Sequence, residues 1–459
     1  MVILLRGNSI NGGKVLKQRI SKYVAMIIIP LLFIMSVDVV PAAAETDLGL
    51  NVDGAILIDA ESGKVLYEKD ADTPYGIASM TKMMTEYILF EAIEEGKITW
   101  DQEYKVNDYT YKISQDSRLS NVPLRADGTY TIRELYEATA IYSANAATIA
   151  IAETIAGTET EFLNLMNAKA EELGLTDYKF VNTTGLNNAD LQGMHPKGTG
   201  PEDENVMPAK SVAKLAYHLL KDFPQVLETT SITTKTFREG TEDAIKMDNW
   251  NFMLPGFVYE YPGVDGLKTG TTTFAGYCFT GTAERDGKRV IAVVMNAVDD
   301  EGKGSYQARF DATRALFDYG FAQFSEVEFV PAGYKFEDQQ TLEVNKGKED
   351  SVEIAVKDPV KMMIKSSEKD LYQPKLVLDK SAEDLVAPIK KGTVVGHIEL
   401  VREDGQELGF VDANHPKIEV VTTESVEKAG WFSLSMRAVG DFFVGIWDSA
   451  TGFVKGLFD

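Results

Sequence analysis

Three short groups of residues able to do chemistry stand in order along the chain: Ser79-Met80-Thr81-Lys82, Ser143-Ala144-Asn145 and Lys268-Thr269-Gly270. The first sets a hydroxyl three residues ahead of an amine. At that spacing on a helix the two side chains share a face. A serine hydroxyl is a weak nucleophile until a base removes its proton. Lys82 can be that base only as the neutral amine. Burial lowers a lysine pKa, and so does a second cation close by; Lys268 is the candidate for that cation. A Lys82 paired with a carboxylate would instead be a structural charge.

Ser143 and Asn145 are two apart, so in an extended segment their side chains point the same way. The hydroxyl can relay a proton to a leaving amine, and the carboxamide can hold a lysine and a substrate backbone by hydrogen bonds. The alternative is helix capping, since both residue types are common caps. Lys268 opens a predicted strand, where a fixed cation can bind a free carboxylate. Gly270 lets a ligand approach the backbone closely, and a strand edge can pair with an extended peptide.

Each group alone is weak. Ser-x-x-Lys recurs at 211–214, 366–369 and 425–428, and Ser-x-Asn at 9–11, whereas Lys-Thr-Gly occurs once. Only Ser79–Lys82 both precedes Ser143 and opens a predicted helix. His195, His218, His397 and His415 show no metal-ligand spacing such as H-E-x-x-H, and no serine sits in a G-x-S-x-G elbow. The single cysteine, Cys278, lies in an apolar run and reads as a small buried hydrophobe. No metal and no cofactor are expected.

The elements that must position these residues can be read around them. Residues 55–59 and 64–69 predict a hairpin about Glu61-Ser62-Gly63. A helix is expected from Ser79 to Glu95 with Gly96 as its C-terminal stop. Further helices are expected over 132–142, 146–156 and 162–173, followed by a polar loop over 186–207. Residues 267–273, 276–284 and 290–297 read as strands, the last two joined at Asp286-Gly287, with a helix over 307–321. Strands at both ends and helices between them predict an α+β domain, one antiparallel sheet flanked by helices.

Beyond 325, short β-like runs at 351–356, 371–378, 393–401, 407–411 and 417–421 predict a small all-β domain. The expected organisation is 1–44, a secretory signal peptide with a basic start, an apolar stretch and Ala42-Ala43-Ala44; 45–325, the domain carrying the three groups; 326–422, the β domain; and 423–459, an amphipathic helix. An uncleaved N-terminal anchor is the alternative for the first. In the last segment Trp431, Phe442, Phe443, Trp447, Phe453 and Phe458 fall on one side of a helical wheel, and Arg437, Asp441, Asp448 and Lys455 on the other. Such a helix lies in a membrane interface, or else docks on its own protein. The chain has 70 acidic and 46 basic residues, a formal net charge of −24, which offers no electrostatic footprint for nucleic acid.

The ordered set resembles the low-molecular-mass penicillin-binding proteins, specifically the D-alanyl-D-alanine carboxypeptidases of Gram-positive type. Residues 77–85, 142–147, 181–186 and 264–270 also match that family, and the likeness spans nearly the whole chain. It implies a β-lactamase/transpeptidase-like fold. It also implies a secreted hydrolase on the outer face of the cytoplasmic membrane, held there peripherally by the C-terminal helix. Its substrate would be a peptidoglycan stem peptide ending in D-Ala-D-Ala, and β-lactam antibiotics would acylate it. Ser79 would be the nucleophile and Lys82 the proton acceptor, with Ser143 and Asn145 assisting. Lys268, with Thr269, Gly270 and Thr271, would bind substrate, and the N–H groups of Ser79 and Thr271 would form the oxyanion hole. Glu161-Phe162-Leu163-Asn164 is one residue short of the class A β-lactamase E-x-x-L-N stretch, which argues against fast β-lactam hydrolysis. A transpeptidase, an endopeptidase or a non-catalytic β-lactam sensor would use the same residues.

Overall fold

A computed structural model of the chain describes residues 46–379, 382, 385–405, 409–412, 417–432 and 434–436. The expected signal peptide, residues 1–44, and the expected amphipathic helix from residue 437 onward lie outside the described residues.

The first hairpin forms as its turn residues dictate. Strands Gly54–Asp59 (β1) and Val65–Lys69 (β2) flank a turn with Gly63 at φ 73°. From the other end of the domain come Val264–Thr272 (β3), Gly276–Arg285 (β4) and Lys288–Met295 (β5). Asp286 and Gly287 both take positive φ, the backbone that a two-residue hairpin turn needs. The five strands make one sheet in the order β2-β1-β5-β4-β3, every neighbour antiparallel. The expected sheet, closed by joining the two ends of the domain, is therefore what forms: Ile56 lies opposite Val293 and Leu57 opposite Ala292.

Side chains alternate across a strand, and here both faces are covered. Ala55, Leu57, Ala292 and Val294 pack with Phe310, Leu316 and Phe317 of the helix Tyr306–Gln323. Ile56, Ile58, Ile291 and Val293 face the larger helical body. That two-sided burial is why these strands read as continuous apolar runs. Each fully buried aliphatic side chain contributes about 1.5–3 kcal/mol.

The helical body is built around Lys82–Glu94 (α1), in which every residue from Lys82 to Phe90 is buried. A helix buried all round has no solvent face, so its polar residues must find partners inside the protein. Around it stand Ile132–Tyr142 (α2), Asn145–Ala156 (α3), Glu159–Glu172 (α4) and Ala209–Asp222 (α5). A capping box, Thr131 with Glu134, starts α2, and Gly157 and Gly174 follow α3 and α4 with positive φ. The helix Tyr306–Gln323 is α6. One element differs from expectation: Ala78–Thr81 is a 3-10 turn, and the α-helix begins only at Lys82.

Beyond α6, the strands 351–356, 372–378, 394–402 and 418–422 form as expected. The strands at 324–330, 341–345, 360–365 and 385–386 add to that expectation; the first two alternate apolar residues with polar ones, 360–365 is apolar between two lysines, and 385–386 is only two residues long. Residues 409–411 do not join this β region's own sheet. They pair with the first hairpin instead: Val65 donates to the Gly409 carbonyl and Val411 to that of Gly63, both at 2.9 Å. Trp431, Phe432 and Met436, in the final described residues, are exposed.

Candidate active site

Ser79 sits in the 3-10 turn that leads into α1. The residue before it, Ala78, has φ 46°. A non-glycine residue in this left-handed region costs about 1–2 kcal/mol and is held only by its surroundings. Those surroundings are visible. Gly185 presses on the turn so closely that a Cβ there would lie 1.8 Å from the Ala78 carbonyl oxygen. Gly270 approaches from β3, where a Cβ would lie 2.5 Å from the Ile77 carbonyl oxygen. The close approach expected of a ligand at Gly270 is thus made by the protein's own serine turn. Ser79 remains half-buried while its neighbours Ala78, Met80 and Lys82 are buried.

Lys82 is fully buried. Its Nζ donates to Asn145 Oδ1 at 2.8 Å and to the Thr184 carbonyl at 2.7 Å, and lies 2.9 Å from Ser79 Oγ. A neutral amine has two N–H groups and one lone pair. The two acceptors take both N–H groups, which leaves the lone pair for the Ser79 hydroxyl. Burial and then the positive charge of Lys268 hold the Lys82 pKa well below the usual lysine value, opposed by Glu86. No carboxylate touches Lys82 among the described residues, so the paired-charge alternative does not describe it.

The extended segment expected at Ser143–Asn145 does not form. Ser143 ends α2 in the left-handed conformation (φ 59°), Ala144 is extended, and Asn145 is already the first residue of α3. The chain reverses there because its amides find partners on both sides of the bend: Ala144 donates to Ala138 within α2 and Asn145 to the distant Ser120, both at 3.0 Å. Asn145 does not cap α3 with its side chain. Its carboxamide Nδ2 donates to the Ser120 carbonyl, which fixes Oδ1 toward Lys82. Ser143 is buried at the same bend.

Lys268 and Thr269 are buried on β3, and Thr271 is exposed. The sheet ends at β3, so its outer edge carries no strand partner among the described residues. Burial pulls the Lys268 pKa down to about 8, with Glu86 opposing and Arg309 assisting.

Several contributors had no voice in the sequence motifs. The Thr184 carbonyl is a main-chain atom presented by the loop 182–185. Asn182 Oδ1 accepts from Thr184 N, Thr184 Oγ1 and Gly185 N, and Glu159 accepts from Thr183 N and Oγ1. Asn205 ties this loop to the serine turn, donating from Nδ2 to Thr81 Oγ1 at 2.9 Å. Arg309 of α6, 1 % exposed, donates to Thr271 Oγ1 and to the Gly270 and Cys278 carbonyls. The dense Asn-Thr-Thr-Gly run was the signal for the first group; nothing local marks Arg309. Glu161 is exposed on α4 and bonded to Asn164, remote in character from a deacylating base. Burial pushes the Cys278 thiol up to about 11, which suits the inert reading. A cleft of about 690 Å³ lies elsewhere, between the β1–β2 turn and the C-terminal strands, and none of these residues lines it.

Residues 41–299 match the family described as D-alanyl-D-alanine carboxypeptidase, Peptidase S11, and residues 324–428 match the penicillin-binding protein 5 C-terminal domain. The chain is 30% identical over 397 residues to the D-alanyl-D-alanine carboxypeptidase DacF of Bacillus subtilis, covering 86% of this chain and 91% of that protein. Among solved structures it is similar to a peptidoglycan synthesis regulatory factor (PBP3) from Streptococcus pneumoniae, at 38% identity and a TM-score of 0.72, covering 82% of this chain and 100% of that one. It is also similar to penicillin-binding protein 5 from Haemophilus influenzae, at 25% identity and a TM-score of 0.64, covering 83% and 98%.

Proposed function

The chain belongs to the Peptidase S11 family of D-alanyl-D-alanine carboxypeptidases, and on that premise we propose that it removes the terminal D-alanine from peptidoglycan stem pentapeptides through an acyl-enzyme on Ser79. The observation that carries this is the fully buried Lys82 Nζ, bonded to Asn145 Oδ1 and the Thr184 carbonyl and 2.9 Å from Ser79 Oγ; as the neutral amine it turns its lone pair to that hydroxyl. Lys82 takes the Ser79 proton as Oγ attacks the carbonyl between the two D-alanines. The amide C–N bond breaks, the Ser79 ester forms, and the proton passes by way of Ser143 to the departing D-alanine amine. Asn145 holds Lys82 and the substrate backbone. Water then hydrolyses the ester and releases the shortened peptide.

Lys268 binds the terminal carboxylate, and the outer edge of β3 at Thr269, Gly270 and Thr271 pairs with the extended peptide; the absence of a strand partner on that edge supports this. The N–H groups of Ser79 and Thr271 stabilise the oxyanion. Penicillin, which presents an acylating carbonyl and a carboxylate, acylates Ser79 in the substrate's place. The reading carries a cellular role in peptidoglycan maturation and cell shape. The organisation that goes with it is a signal peptide (1–44), a catalytic domain (45–325), a β domain (326–422) and a peripheral membrane anchor (423–459). Exposed Trp431, Phe432 and Met436 at the start of that last segment support the anchor.

The test is D-alanine release from a pentapeptide ending in D-Ala-D-Ala. Wild type releases it; Ser79→Ala does not, and Lys82→Ala falls by about 10²–10⁴, the usual worth of a general base. Release by Ser79→Ala at the wild-type rate would overturn the assignment.

A further inference from the structure

Glu86 stands four residues after Lys82 on α1, on the same helix face, and is 2 % exposed. Its Oε1 is buried without a hydrogen-bond partner. The hydrogen bonds of the two cations that act on it go elsewhere, those of Lys82 to Asn145, Thr184 and Ser79 and that of Lys268 to the Thr269 carbonyl. From α2 the Tyr136 hydroxyl lies within its electrostatic reach, and Arg309 of α6 acts on Lys268. The ionisable groups of α4 and α5 that touch α1, Lys169 and Asp222, meet Glu91 and Tyr87 instead. Glu86 is therefore a carboxyl group sealed in with the two lysines, partnered by neither and used by no step of the reaction. A packing role alone would be filled by an apolar residue, since a buried polar atom left unbonded is costly.

We propose that Glu86 is a positioning residue of the serine–lysine machinery: as third member of a buried charge cluster with Lys82 and Lys268, it governs how protons are shared between the base and the carboxylate-binding cation, and so where on the pH scale Ser79 is activated. This rests on Lys82 being the base. As a carboxylate Glu86 holds protons on both lysines. As the neutral acid it leaves Lys82 facing only the repulsion of Lys268, which favours the amine. Burial pushes the Glu86 carboxyl up to about 7, against the pull of Lys268 and Lys82, so its protonation is linked to theirs.

The experiment is the second-order rate of acylation by a fluorescent penicillin from pH 5 to 10, for wild type, Glu86→Gln and Glu86→Asp, each normalised to the sites that can be acylated. Glutamine fixes the neutral form. Both limbs of the profile then move to lower pH, the alkaline one by more, on the order of one pH unit, because Glu86 is ionised there in the wild type. Aspartate restores the profile toward wild type. A uniform loss of rate with both limbs unmoved would show packing alone and overturn the proposal. Should Glu86→Gln not fold, infrared spectra of the wild type replace it. A carboxylic-acid stretch that bleaches near neutral pH and shifts when penicillin acylates Ser79 supports the proposal, and no such band overturns it. Lys82→Ala separates the premises. Undiminished acylation in that variant sinks the base reading itself; loss there, with unmoved limbs in Glu86→Gln, sinks only the role of Glu86.

Discussion

Lys82 and Lys169 are both sealed from solvent, at 0 % and 8 % exposure, yet the regions around them drive their amines in opposite directions. Lys169 of α4 meets two carboxylates, Glu91 at 2.6 Å and Glu172 at 2.7 Å. Burial pulls its pKa down, but the bonds to Glu172 and Glu91 outweigh that and raise it. Lys82 meets a carboxamide, a carbonyl and a hydroxyl; burial first, and then Lys268, pull its pKa down against the opposing pull of Glu86. Burial alone therefore does not make a lysine basic in the catalytic sense. Depth and partner set act together: carboxylates keep a shallowly buried lysine charged, whereas deep burial among neutral acceptors with a like charge nearby favours the neutral amine.

That contrast can be broken most severely by giving Lys82 the partner that Lys169 has. Asn145→Asp puts a carboxylate 2.8 Å from Nζ. The ammonium form is then favoured by about 1–3 pKa units, each worth tenfold. Acylation by penicillin at neutral pH should fall roughly 10- to 1000-fold, with the acid limb displaced upward; an unmoved limb would mean that Lys82 does not act through its neutral form.

The wild-type pH profile sharpens the same point. In the proposed reaction Lys82 is the base and must lose its proton, so the rate is expected to rise with pH through its depressed pKa. Lys268 must keep its proton, so the rate falls above about pH 8. The result is a bell. A β-lactam whose carboxylate is esterified should lose the alkaline fall and keep the acid limb; an unchanged alkaline fall would assign it to another group.

The smallest effect lies at the other lysine. Lys169→Met removes a little-exposed charge whose partners still reach water, Glu91 at 31% and Glu172 at 65% side-chain exposure. Thermal unfolding should show a loss of roughly 1 kcal/mol, with the pH profile of acylation unchanged. A displaced profile would show that the two regions communicate.

Local geometry made the Ser79–Lys82 contact legible, since two side chains three residues apart on a helical turn must meet. The sheet was legible for a similar reason: apolar runs broken by Glu61-Ser62-Gly63 and Asp286-Gly287 leave few other ways to pair. The extended conformation expected at Ser143 does not form, because a left-handed serine is set by what its amide and those of Ala144 and Asn145 bond to, Ala138 and Ser120, not by its own identity. Gly270 was read as room for a ligand, whereas the Ile77 carbonyl fills that room from 193 positions away in sequence. Residues 409–411 looked like one more strand of the β region, but their partner is the first hairpin.

The sequence by itself determined which groups could react and in what order they stand, because a hydroxyl, an amine and a carboxamide keep their chemistry in any fold, and because turn residues and apolar alternation act over a few positions. Only the tertiary structure decided what state those groups are in. Whether Lys82 is an amine or an ammonium depends on the absence of a touching carboxylate, on the Thr184 carbonyl, and on Lys268 and Glu86 sharing its dry interior. Charges interact through space and far more strongly where water is excluded, so the state of the Lys82 amine is set by residues that the chain brings together from α1, α3, β3 and the loop at 182–185, not by the motif that contains it.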